Sequence, residues 1–406
     1  MVSAGRGGLT PGQRLSRLGP LMLAMAALVA GVAGGLLRAG LDVPAPDAAA
    51  WHGALMTGAF FGTVIGIERA VALGGGLAFA GPVSSGLGGV ALVAGFPTAG
   101  AWLLAAGSAG LARASLRVLS RQRAPHTWLL LVAALGWLVG NLLFAGGLPP
   151  DAPVPWWFGF LAVTIAAERL ELTRLMPRRP SAQPLLWMIV TAMGLAALAV
   201  TLATLPGGRA LHVPWITREA AGIAWGATLV ALAGWLAVFD IARRTIRTEG
   251  VARYAAACLL GGYAWLAVAG IAWGVAVVEG GPWRDLALHA LGLGFVVSMV
   301  MGHAPIILPA IARVPLRFSG AFWLPLALLH ASLLLRFAPV AGFDAGRAPG
   351  AALNALALAV FAGTVVRGLL SGRPAAPRPS APRRSPPVPR PPAGPAGQAP
   401  SGRSGR

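Results

Sequence analysis

Lysine is missing from this chain of 406 residues: all 32 basic residues are arginine, set against 12 acidic ones. Only 11% of the residues are charged, where a soluble domain carries about 25%, so composition excludes an ordinary soluble protein. With so much alanine, glycine and proline, the lack of lysine reads as the codon bias of a GC-rich bacterium and carries no mechanism. The single cysteine, Cys258, lies inside an apolar run, so no intrachain disulfide can form and the thiol reads as a small packing residue. No Cys-x-x-Cys motif, phosphate-binding glycine loop or nucleophile triad occurs in a convincing setting; "GLGG" and "GGGL" fall at helix junctions and read as packing or turns. No acidic residue sits at the middle of an apolar run, which argues against proton- or sodium-coupled transport. The runs also lack the alternation of lumen-facing strands, which excludes a membrane β-barrel.

What is present is apolar length. Hydrophobic residues make up 56% of the chain, the mean hydropathy is +0.72, and 56 glycines would let lipid-embedded helices approach closely. About twenty apolar residues cross a bilayer as a helix. Twelve runs qualify: 19–38, 51–71, 76–96, 98–118, 127–147, 153–171, 184–206, 216–240, 254–278, 286–311, 320–338 and 349–371. The expected fold is therefore all-α, a polytopic bundle over residues 1–371. Residues 372–406, rich in Pro, Arg and Gly with almost nothing to bury, read as a disordered cytoplasmic tail able to touch anionic lipid. The first run could pass for a signal peptide, but retaining it completes an even set.

The net charge of +20 does not mark a nucleic-acid protein, because the arginines cluster in alternate short loops and in the tail. Arg6, Arg14 and Arg17 precede the first run; Arg113, Arg117, Arg121 and Arg123 close the fourth; Arg169, Arg174, Arg178 and Arg179 the sixth. Arg243, Arg244, Arg247 and Arg253 follow the eighth, and Arg313 and Arg317 the tenth. Arginine stays on the cytoplasmic side of short loops, so both termini are expected there, in a multi-pass protein of the bacterial inner membrane. Trp51, Trp156, Trp157, Trp215 and Trp283 would then form an aromatic belt at the outer interface. "GIERA" (66–70) and "AAERL" (166–170) end the second and sixth runs with the same Glu-Arg pair, an echo that would make runs two, six and ten equivalent members of three four-helix units.

Six histidines sort by depth. His52 opens the second run, "HGALMTGAFFGTVIGIERAVAL", and His289 opens the tenth, "LHALGLGFVVSMVMGHAPIILPAI", at the same outer level. His303 lies about 21 Å deeper on that helix at 1.5 Å per residue, beside Pro305 and Pro309, where a kink or an early helix end is expected. His330 is past the middle of the eleventh run, and His126 and His212 read as loop residues. Two imidazoles at one depth on different helices can grip a planar cofactor from both faces; they can equally be interfacial side chains bonded to a neighbour or to water. Glu68, Glu168 and Asp240 read as paired interfacial charges at cytoplasmic helix ends, and Asn141 and Asn354 as hydrogen-bonding links between helices.

Twelve helices with a histidine opening the second and another opening the tenth resemble haem–copper oxidase subunit I and, more closely, the NnrS family of bacterial membrane proteins. The segment at 52–73 is similar to a His-x-x-Met-x-x-Gly-Phe stretch of that family, and that at 288–311 to its His-Ala-Leu-x-x-Gly stretch. The resemblance implies haem, copper or both near the outer face, a link to nitric oxide or respiratory stress, and His52 and His289 as ligands of haem iron; His303 and His330 join them as candidate metal ligands. Departures are plain: runs six and seven hold no histidine for an oxidase-type copper, and His289 and His303 are fourteen apart, not two. Oxygen or nitric oxide reduction at a haem–copper pair is therefore not expected, and whether any reaction is catalysed stays open. The alternatives are a small-solute permease gated at the tenth run, or an assembly or structural partner of a respiratory complex. Expected partners are the lipid bilayer and respiratory-chain or stress-response proteins, not nucleic acid.

Overall fold

The computed structural model describes residues 11–172, 180–205, 217–312, 315–371 and 405. His212, Trp215, the tail at 372–404, and Arg6, Arg174, Arg178, Arg179 and Arg313 lie outside the described residues. Among the described residues every regular element is helical, with no strand.

The long helices are α1 (Pro11–Arg38), α2 (His52–Leu73), α3 (Gly76–Val93), α4 (Pro97–Arg121), α5 (Pro125–Ala145), α6 (Val154–Leu172), α7 (Ala182–Thr204), α8 (Arg218–Phe239) and α9 (Gly250–Glu279). Then α10 runs without a break through Pro282–His289, Ala290–Val297 and Ser298–Ala312, followed by α11 (Trp323–Arg336) and α12 (Arg347–Ser371). Nine of these, all except α4, α6 and α11, are long and apolar enough to cross a membrane. The three exceptions have visible reasons. Helix α4 ends in Arg113, Arg117 and Arg121, α6 ends in Glu168, Arg169 and Glu171, and α11 has 14 residues.

Local chemistry marks the helix ends. Pro97, Pro125 and Pro282 start α4, α5 and α10, where a missing N–H costs nothing. Thr217 caps α8, its hydroxyl accepting from the Ala220 N–H at 3.1 Å. Between α9 and α10 the chain reverses through Gly280 and Gly281, at φ 67° and 61°, a region that side chains with a Cβ avoid.

Sequential helices pack against each other: α3 on α4, α4 on α5, α5 on α6, α8 on α9 and α11 on α12. Small residues set several of these contacts. A Cβ on Gly226 of α8 would lie 2.4 Å from the Gly270 carbonyl oxygen of α9, so the backbones themselves touch. Helix α6 buries consecutive residues from Phe160 to Thr164 together with Ala166, Ala167, Arg169 and Leu170. It has no exposed stripe and sits in the interior. Asn141 of α5 donates to the Leu104 carbonyl of α4 at 3.2 Å and accepts from Trp157 Nε1 of α6 at 2.9 Å, tying three helices together; Asn354 of α12 accepts from Ser332 of α11.

Three expectations need correcting. Trp157 is not a belt residue: it is 4% exposed, because Asn141 gives its indole N–H a partner in the core. His126 is not in a loop: it is buried in the first turn of α5, with Nε2 3.6 Å from a Glu171 carboxylate oxygen. Pro305 and Pro309 do not end α10, which continues to Ala312. Each proline removes one donor, and packing against α9 holds the rest of the helix.

Candidate functional site

The rings of His52 and His289 meet at one end of the bundle, with centroids 6.2 Å apart and planes inclined by 24°. Both are half-buried. His289 sits immediately before a wide-turn π-helical stretch, Ala290–Val297 in α10, and His52 three residues before another, Leu55–Gly62 in α2. Such insertions concentrate at functional positions.

The surroundings fix both rings. His52 Nδ1 lies 2.7 Å from the Gly31 carbonyl of α1, and His289 Nδ1 lies 2.8 Å from the Asp285 carbonyl of its own helix. A carbonyl can only accept, so both Nδ1 atoms carry the proton and both Nε2 atoms keep a lone pair. Among the described residues neither Nε2 has a hydrogen-bond partner. This is the tautomer a metal-binding histidine adopts when its outer nitrogen is held by a carbonyl. His52 reaches α1 because Gly35 has no side chain: a Cβ there would lie 2.8 Å from His52 Cε1.

His289 has a second neighbour. An Asp285 carboxylate oxygen stands 3.3 Å from Nδ1, and the other accepts from Arg336 of α11 at 2.5 Å. Arg336 is 6% exposed, and its buried Nε–H has no acceptor among the described residues. Four helices, α1, α2, α10 and α11, thus contribute to one end-on cluster.

The other two histidines expected as metal ligands are engaged elsewhere. His303 donates from Nδ1 to the Met299 carbonyl at 2.6 Å and accepts at Nε2 from Arg169 of α6 at 2.7 Å, so both of its nitrogens are occupied. His330 accepts at Nδ1 from Trp265 Nε1 of α9 at 2.7 Å, its ring nearly parallel to the indole at 7°. Among the described residues no group of three or more His, Cys, Asp or Glu side chains is placed to hold a metal ion.

Charges expected at helix ends prove partly internal. Arg69 of α2 donates to Glu168 of α6 at 3.2 Å. Arg169 Nε stands 3.7 Å from an Asp240 carboxylate oxygen, with Arg169 6% and Asp240 2% exposed. Asp240 also accepts from the Ala242 N–H at 2.6 Å.

Asp285 and Arg336 were missed in the sequence. Asp285 carried a usable signal, since a carboxylate four residues before a histidine shares its helix face. Arg336 carried a subtler one, as an arginine at a helix end where the topology calls for few.

Fold and cluster together define a many-pass helical membrane protein in which two imidazoles with free lone pairs converge at one end of the bundle. The chain belongs to the family described as Domain of unknown function (DUF8744), which matches residues 17–369. No curated protein matches the chain.

Proposed function

We propose that this protein is a haem protein of the bacterial inner membrane, related to the NnrS type, in which His52 and His289 are the two axial ligands of one haem near the outer face. The carrying observation is the pair itself: 6.2 Å between ring centres, with both lone pairs on Nε2. An imidazole nitrogen binds a first-row metal at about 2 Å, so two opposed ligands hold their nitrogens about 4 Å apart and their ring centres roughly 2 Å further. The observed spacing suits that arrangement.

Donor count favours haem over an isolated copper ion. A metal held by protein alone takes three or four donors, and no such group occurs among the described residues. A macrocycle brings its own four nitrogens and asks the protein for two. Arg336, with an unused buried N–H beside the cluster, is available to an acidic edge group. Haem held by His52 and His289 would supply a one-electron couple. The role that fits is redox transfer or sensing in respiratory or nitric oxide stress, with copper a lesser candidate.

The topology belongs to the same proposal. Twelve crossings, with both termini cytoplasmic, put the arginine-rich end of α4 and the arginines that follow α6 and α8 inside and the histidine pair outside.

The test is an absorption spectrum with metal analysis on protein purified from cells making ample haem. A Soret band is expected in the wild type and absent in His52→Ala and His289→Ala, while helical content by circular dichroism stays unchanged. A wild-type protein free of haem and metal ends the proposal, as does an undiminished band in both variants.

A further inference from the structure

Beside the junction of α2 and α3, far in sequence from either histidine, a groove of about 250 Å³ opens between α3 and α4. Its walls are apolar, with Leu77, Ala78, Gly81 and Ala106 among them, and Arg113 and Arg117 stand along one edge. The groove exists because the helix backbones approach closely beneath it: a Cβ on Gly110 would lie 2.8 Å from Gly81 Cα. Ser84, also in the lining, turns its hydroxyl to the Leu103 carbonyl at 2.8 Å and adds no free polar group.

Arg113 and Arg117 are four apart on one helix face and both exposed. Among the described residues neither guanidinium has a carboxylate partner. Leu77, at 81% exposed, flanks the opening. An apolar trough ending in two unpaired cations matches one kind of occupant, with a hydrocarbon chain at one end and a negative phosphate at the other.

We propose that this groove is a binding site for an anionic diacyl phospholipid of the inner leaflet. An acyl chain lies over Gly81 and Ala106, and the headgroup phosphate is held by Arg113 and Arg117. Arginine suits the task because its forked donors can engage two phosphate oxygens. Basic pockets between membrane helices on the cytoplasmic side hold anionic headgroups in this way. The site is independent of the histidine pair.

The experiment is native mass spectrometry of the full-length protein released from nanodiscs of equal parts phosphatidylcholine and phosphatidylglycerol. The wild type is expected to keep one phosphatidylglycerol in preference to phosphatidylcholine. Retention should fall about tenfold or more in the double variant Arg113→Gln/Arg117→Gln, and likewise in Ala106→Phe, which fills the trough. A control, Arg243→Gln/Arg244→Gln, removes two exposed arginines outside the groove and should behave as wild type. Equal retention of the two lipids, wild-type retention in the groove variants, or an equal loss in the control overturns the proposal.

Discussion

Arg169 of α6 donates to His303 of α10 at 2.7 Å, and its neighbour Glu168 accepts from Arg69 of α2 at 3.2 Å. One Glu-Arg dipeptide therefore reaches two other helices. Side-chain hydrogen bonds thus join α2 to α6 and α6 to α10, while at the opposite end the His52 and His289 rings bring α10 back beside α2. The arginine of the first Glu-Arg motif, Arg69, thus pairs with the glutamate of the second, Glu168.

The buried part of this linkage should dominate its energetics. Removing one member of a buried ion pair costs about 3–5 kcal/mol, mainly because the other charge is left uncompensated. Arg169→Ala is expected to lose stability on that scale by exposing Asp240 to an apolar interior without its cation. The double variant Arg169→Ala/Asp240→Ala should lose less than the sum of the single losses. Thermal unfolding of all three in one detergent checks this; strictly additive losses would show that the two residues are uncoupled.

Asp285 and Arg336 offer a contrast with Asp151 and Arg218. Arg336 is 4% exposed at its side chain and Arg218 61%. Arg336→Leu should therefore destabilise strongly and also weaken any haem retention, by releasing the carboxylate that flanks His289. Arg218→Leu should cost about 0–1 kcal/mol, as exposed pairs do. Unfolding midpoints compared side by side decide the point, and similar shifts for both variants would contradict it.

Two adjacent glycines of α1 should respond differently to alanine. At Gly34 the new methyl would meet the Ala48 carbonyl oxygen at 2.3 Å, whereas at Gly35 it would meet only the His52 ring, at 2.8 Å. Backbone cannot retreat as a side chain can, and overpacking typically costs about 1–3 kcal/mol. Gly34→Ala is expected to lower the unfolding temperature. Gly35→Ala should leave it nearly unchanged while shifting the absorption spectrum of haem-loaded protein. Matching effects of the two substitutions on both readouts would refute the distinction.

Much of the architecture was legible from apolar run length, because in a bilayer that length alone dictates a helix. The shared level of His52 and His289 was legible too, since both open runs expected to descend from the same face. Long-range polar pairing was not. Arg169 and His303 are 134 residues apart, and nothing in their local sequence names the partner. Trp157 was misplaced because run-end tryptophans usually favour the interface, while here Asn141 offers an internal acceptor. Arg336 was overlooked because arginine in such a chain reads first as a topology marker, and its buried role emerges only when α11 is packed beside α10.

The wide turns after His52 and His289 have a consequence for how these positions can change. Each holds one more residue than an ordinary helical turn, so the imidazole rides on a short N-terminal stub whose azimuth is set separately from the long packed shaft below. Deleting a single residue from Leu55–Gly62 would restore regular winding and swing His52 by about 100°, away from its counterpart, while Thr63–Leu73 kept its neighbours. A lineage could thus gain or shed the paired arrangement through a one-codon insertion or loss, without rebuilding the scaffold.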